Sequence, residues 1–263
     1  MLCPNTFQQK IADGKPTLGT HFLFADPDIP EIIGDTGLFD YAEFSAEYSS
    51  FDMPLLYHLA RSGQCGNLPL MIKVDQESQG FWTQAAIGAG FRSVLFTDIR
   101  EADDVDVCCQ CVLPDTPEQH GRMGVKLRRP ALSGYDTKEY LSELQSTVIA
   151  IMIEKNVTLE NIDAVLERAH QRGVSLTQWG PADFGFSMGK PDLMHSDEIR
   201  RFEELVIRKS LEHGVQPRIE IGSVDQAKRY LDLGVQHFCI GWDRFLYQSA
   251  IKSLGEGMRG LLE

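Results

Sequence analysis

The feature that most constrains this chain is a recurring sentence of helix, glycine and strand. GAGFRSVLF, QRGVSLTQW and DLGVQHFCIG each close a helical stretch on Gly and pass at once into an apolar run. Gly supplies the positive φ that ends a helix, and an apolar run directly after it reads as a buried strand. Candidate strands fall at 21–25, 41–47, 68–74, 93–98, 148–154, 174–179, 218–222 and 237–243. Helical patterns lie between them, including MPLLYHLARSG, WTQAAIGAG, LENIDAVLERAHQRG, DEIRRFEELVIRKSLEHG and VDQAKRYLDLG. Alternation of this kind builds a parallel sheet with helices outside it. With 263 residues and eight strands, the expectation is an α/β fold, one (β/α)8 TIM barrel spanning 1–263. A doubly wound open sheet fits less well, because no GxGxxG turn follows the first strand.

Residues 99–147 are longer than one crossover requires and contain LPDTPEQHGRMG and the basic GVKLRRP. This segment reads as a fourth helix plus an excursion over the barrel mouth or an oligomer contact. Cys108, Cys109 and Cys111 stand too close for ordinary zinc spacing and read as free thiols at a helix or strand end. The formal charge of −13 is spread along the chain, which disfavours nucleic acid and anionic membranes as partners. No apolar stretch is long enough to span a bilayer. The first fifteen residues lack the apolar core of a secretory signal, so the expected location is cytoplasmic.

In such barrels the chemistry sits at the C-terminal ends of the strands. Those ends carry Glu47 and Tyr48, Lys73 and Asp75, Asp98, Glu154, Gly180-Pro181-Ala182-Asp183, Glu220 and Asp243. Glu154 closes the otherwise apolar VIAIMI, where a carboxylate needs a cation or several hydrogen bonds. Asp183 follows a Gly-Pro turn on the next strand. Two carboxylates converging from adjacent strand ends need a cation or a shared proton. All-oxygen ligation suits Mg²⁺ or Mn²⁺; helix capping or pairing with a nearby Lys is the plainer alternative. Period-two alternation puts Tyr41, Glu43, Ser45 and Glu47 on one face of the second strand. That polar face is expected inward, with Glu43 able to pair with Lys73 on the next strand. His120, His195 and Arg122 lie in polar loops, and Trp179 and Trp242 flank strand ends as core residues or pocket lining.

WGPADFGFSMG (179–189), the strand-ending Glu of IMIEK, FDYAEFSAEYSSFD (39–52) and AKRYLDLGVQHFCIGWD (227–243) together resemble the HpcH/HpaI aldolases. The similarity keeps the order of elements over most of the chain. It implies a phosphoenolpyruvate/pyruvate-type barrel and a class II, metal-dependent carbon–carbon lyase. The enzyme would act on a 2-oxo acid, commonly pyruvate, whose enolate the metal stabilises. Carried over, Glu154 and Asp183 become ligands for Mg²⁺, Mn²⁺ or Co²⁺, and Glu47 holds metal-bound water. The backbone of Gly180, Pro181 and Ala182 contacts the oxo acid, with Glu220 added to the substrate-binding set. The resemblance also implies a homo-oligomer, a trimer or hexamer.

The sequence departs from the family in five places. Tyr48 and Ser45 stand where the family has its His and Asp, Lys73 where it has Arg, Met152 where it has Gln, and Glu220 where an aliphatic residue is usual. Lys73 keeps the charge but not the bidentate geometry of Arg. The expected catalytic set is Lys73, Tyr48 and Glu47. Lys73 stabilises charge; Tyr48, its pKa lowered by Lys73 or metal, or a metal-bound water moves the proton. Tyr48 as an aromatic wall is the alternative. A related synthase or decarboxylase on oxaloacetate-like acids, and a non-catalytic binding protein on a decayed barrel, are the competing functional readings.

Overall fold

The computed structural model describes residues 4–124 and 136–263. The eight strands are β1 (Thr17–Phe22), β2 (Tyr41–Ser45), β3 (Leu70–Val74), β4 (Ser93–Phe96), β5 (Val148–Ile153), β6 (Leu176–Trp179), β7 (Gln216–Ile221) and β8 (His237–Trp242). Every neighbour pair is parallel, and β8 closes on β1. The barrel is therefore complete, as the alternation of elements led us to expect.

Alternation along β2 works as the sequence implies. Ala42 and Phe44 point outward into the layer shared with the helices, alongside Leu56, Ile72 and Phe96. Tyr41 points inward and packs with Met71, Leu95, Ala150 and Leu176. Phe7, from the N-terminal helix Thr6–Ala12, stacks on Tyr41 at 4.0 Å between ring centroids and stops the lower end of the barrel. Gly19 on β1 lies against that same ring; a Cβ there would overlap it. A glycine is the residue that lets Tyr41 fill the interior.

Most strands shift by one or two residues at an end, and some boundaries differ by more. β1 starts at Thr17, not at His21, because its inward positions carry Gly and small polar residues rather than a continuous apolar run. Beyond it, the backbone N–H groups of Leu23 and Phe24 turn to the carboxylate of Asp243, at 2.8 to 3.0 Å. On β2, residues Ala46–Tyr48 leave the sheet as a 3₁₀ turn. The helix expected across 159–173 is two helices, Asn156–Glu160 and Ile162–Gln171. β7 begins at Gln216.

The described part of the long excursion does not cover the mouth. Residues 113–124 follow the end of the helix Ala102–Val112, and the carbonyl of Gln119 accepts a hydrogen bond from Arg172, at the end of the helix after β5. Helices run antiparallel to the strands, so these ends lie at the opposite face from the site. His120 and Arg122 are exposed there. Most of GVKLRRP lies outside the described residues. Cys108, Cys109 and Cys111 are buried in the helix Ala102–Val112 as free thiols. Among the described residues, no helix is long and apolar enough to cross a membrane. The last helix, Asp243–Leu262, buries none of its residues and exposes Phe245, Ile251, Leu254, Met258 and Leu261.

Candidate active site

The mouth of the barrel carries charged groups on almost every strand end. The turn after β2 lifts Glu47 and Tyr48 over the opening. Lys73, near the end of β3 and almost fully buried, reaches both: its Nζ lies 2.7 Å from Glu47 Oε2 and donates to the Tyr48 hydroxyl at 2.8 Å. The expected Glu43–Lys73 pair is not formed, because Glu43 faces Arg218 on β7 across the interior instead. Burial drives the Tyr48 phenol up to about 12, outweighing the pull of Lys73. Lys73 alone therefore does not lower this phenol, which keeps its proton beside the ammonium.

β5 delivers Glu154 as its continuation, 3% exposed. Its Oε1 accepts the backbone N–H of Asp98 at 2.7 Å. Asp98 sits at φ +60°, a left-handed conformation unusual for a residue with a side chain. That twist at the end of β4 aims the amide at Glu154 and the carboxylate at Lys155, 2.5 Å from its Nζ. β6 then ends at Gly180, where a Cβ would lie 2.6 Å from Glu154 Oε2. Glycine allows the two strand ends to close up. Pro181 opens the helix Pro181–Ser187, and Asp183 lies in its first turn, half-exposed.

Asp183 is near enough to Glu154 for its charge to be felt there. Burial raises Glu154 to about 7, and the charge of Asp183 pushes in the same direction, against the Asp98 amide and Lys73. Lys155 Nζ lies 3.1 Å from Asp183 Oδ1, so an ammonium already stands beside one of the two carboxylates. A buried, under-compensated carboxylate next to a second, solvent-facing one is a donor set that fits a hard divalent cation.

On the other side of the interior lies a network that the sequence reading missed. Arg218, fully buried, donates to the Tyr41 hydroxyl at 2.6 Å and pairs with Glu43. His21 Nε2 lies 3.7 Å from Glu43 Oε2 and 3.3 Å from Glu220 Oε2. Glu220 Oε1 accepts the Trp242 indole N–H at 2.6 Å, and Oε2 accepts from Gln178 at 3.4 Å. Burial alone would strip the proton from His21, but Cys239, Glu43 and Glu220 hold its pKa well above the usual value. Burial opposes ionisation of Glu220 as well, yet His21 brings it down to about 2. His21, Glu43 and Cys239 place three ligand-type atoms within 4.8 Å of one another. Arg218 and the His21 imidazolium already offset the negative charge of that cluster.

Trp179 is a core residue against Phe184. Trp242 is half-buried between His21 and Tyr48, 4.9 and 6.2 Å from their ring centroids, and lines the mouth. His195 is exposed at the end of the short helix Pro191–His195. The rule that found Glu43 would have found Arg218, which alternates with the already noted Glu220 on β7, and His21, two residues after the inward Gly19. Placing the start of β1 at His21 hid that parity.

The closed eight-stranded barrel is the fold of solved HpcH/HpaI aldolases. A solved HpcH/HpaI aldolase/citrate lyase family protein from Burkholderia cenocepacia superposes with a TM-score of 0.85 at 20% identity, over 97% of this chain and 99% of that one. A citrate synthase structure superposes equally well, with a TM-score of 0.84 at 17% identity over 98% of this chain and 100% of that one. No protein-family model matches the chain. In sequence, a 2-keto-3-deoxy-L-rhamnonate aldolase from Escherichia coli is 24% identical over 254 residues, 95% of this chain and 91% of that one. The chain is a homologue of aldolases, as its strand-end motifs led us to expect.

Proposed function

We propose that this chain is a metal-dependent aldolase that makes or breaks a carbon–carbon bond next to the enolate of a pyruvate-type 2-oxo acid. The observation that carries this reading is the Glu154–Asp183 pair, one carboxylate buried and raised to about 7 and the other facing the opening. A relative that acts on a keto-deoxy sugar acid supports the substrate class. When bound, a divalent cation (Mg²⁺ or Mn²⁺, with Co²⁺ as substitute) supplies Lewis acidity toward the oxygens of the oxo acid.

The chain's own residues do the rest. Glu154 and Asp183 would hold the cation, and the backbone of Gly180, Pro181 and Ala182 would orient the acid end of the substrate. Lys73 places a fixed positive charge where negative charge develops on bond cleavage, at no cost of reorganisation. Lys73 donates to the Tyr48 oxygen, and the phenol in turn is hydrogen-bonded to the Glu47 carboxylate. Tyr48 acts as a proton donor, not a base. Glu47, paired with Lys73 at 2.7 Å, is the carboxylate that accepts the substrate hydroxyl proton, directly or through water.

The exposed apolar face of Asp243–Leu262 supports a homo-oligomer, a trimer or hexamer as the resemblance implies. Free thiols at all the described cysteines support a cytoplasmic location. The reading is tested by exchange of pyruvate methyl protons into D₂O, followed by NMR. Exchange with Mg²⁺ or Mn²⁺ that stops with chelator is the expected result. Protein that binds metal but shows no exchange with any of these ions would sink it.

A further inference from the structure

Glu220 is where the buried network reaches the surface. Glu43 and His21 are closed off, with side chains 1% and 0% exposed, whereas the Glu220 side chain is 33% exposed. Its oxygens already take the Trp242 indole N–H and the Gln178 amide, and Oε2 pairs with His21. A carboxylate offers about four acceptor positions, so capacity remains on the face turned to the opening. Arg218 and the imidazolium behind it keep the group ionised, and an ionised carboxylate can accept hydrogen bonds but not give them.

Its place in the ring matters as much as its charge. β7 is the direct neighbour of β6, and β6 ends in the Gly180–Asp183 turn. A substrate held by its oxo-acid end at Glu154 and Asp183 therefore has Glu220 one strand away. The Trp242 and Tyr48 rings, 6.2 Å apart, continue the wall from there. Given the aldolase reading, on which this step rests, we propose that Glu220 reads the far end of the substrate: it accepts hydrogen bonds from hydroxyl groups on the fragment that leaves as aldehyde and turns away a second carboxylate. The substrate class becomes a hydroxylated monocarboxylic 2-oxo acid, and dicarboxylates such as oxaloacetate-derived acids are disfavoured.

The test measures binding, so it does not depend on turnover. Isothermal titration of the Mg²⁺-loaded protein compares gluconate, a polyhydroxylated monocarboxylate, with malate, a dicarboxylate of smaller size. Wild type binds gluconate at least about tenfold more tightly, as a charge-assisted hydrogen bond and one avoided like-charge contact imply. Glu220→Leu removes the preference, and Glu220→Gln, which keeps the shape if the Leu variant fails to fold, raises malate affinity about fivefold or more. Equal or tighter malate binding by wild type, failure of both acids to bind, or a preference untouched by both substitutions overturns the proposal. The D₂O exchange of pyruvate reports separately on the aldolase reading, so loss of one and survival of the other can be told apart.

Discussion

Glu154 and Glu220 are the same residue type at equivalent positions in one barrel, and they titrate in opposite directions. Glu154 is raised to about 7 and Glu220 is lowered to about 2, although burial pushes both upward. The difference lies in which cations share the interior. Glu220 has His21 at 3.3 Å and Arg218 behind it. Glu154 has one amide and the more distant Lys73, while Lys155 beside it is spent on Asp98 and Asp183. One side of the mouth is closed and neutral as it stands; the other is short of positive charge. A barrel can therefore be stable on the first side and reactive on the second.

The largest effect expected from this contrast is loss of metal. Glu154→Gln should remove the calorimetric signal for Mn²⁺ and cut turnover by about a thousandfold or more, an order of ~4 kcal/mol in the barrier. The variant should remain folded, since a neutral amide suits that site at least as well as a buried charge. Mn²⁺ affinity within threefold of wild type would break the comparison at its root. On the opposite side, Arg218→Met should leave Glu43 ionised and short of its main partner, costing about 3–5 kcal/mol in urea unfolding. Lys155→Met should cost about 1 kcal/mol or less, because Asp183 is half in water. Equal losses from the two substitutions would mean that the two sides are not distinct.

A pH titration sharpens the same point. Glu154 has a folded pKa of about 7 against 4.5 unfolded, so the folded state binds more protons between those values. Its contribution is fully present below pH 4.5 and is lost as the pH rises through 7, by roughly 3 kcal/mol at most. Metal-free protein should therefore lose stability across that window, and Glu154→Gln should not. Saturating Mn²⁺ should offset the loss, because the ion binds the deprotonated form of the folded state. A flat profile in metal-free wild type would place Glu154 in a wetter, better-paired setting than the one seen.

How much of this was legible follows from which signals are local. The barrel was, since helix-terminal glycines and apolar strands are properties of neighbouring residues. The position of Glu154 at a strand end was, because an acid ending an apolar run is conspicuous. The polar inward face of β2 was legible for the same reason. The partners were not: Glu43 on β2 meets Arg218, 175 residues later, through the closure of the ring. No spacing encodes a contact between strands that touch only across the lumen. The pairing of Asp183 with a nearby Lys was foreseen as an alternative, but that the Lys is Lys155 was not, because its partners come from the ends of β4 and β6. The Lys73–Tyr48 contact follows from strand order, whereas the balance between that ammonium and the surroundings of the phenol does not.

Tyr48 gives the finest test of how the two sides work together. Its ring faces Trp242, which belongs to the closed side, and its oxygen takes a hydrogen bond from Lys73, which belongs to the open one. Lys73 Nζ also lies 4.4 Å from the centre of the same ring. Tyr48→Phe keeps the ring and the cation–π contact and removes only the hydroxyl. If the phenol donates a proton, kcat should fall about ten- to fiftyfold with little change in KM, within the lower range for general acid catalysis. A fall of less than tenfold would make Tyr48 a wall of the site and leave Lys73 as the source of charge stabilisation without a partner in proton transfer. Either result fixes which side supplies the proton: the open one through Lys73 and Tyr48, or bulk water.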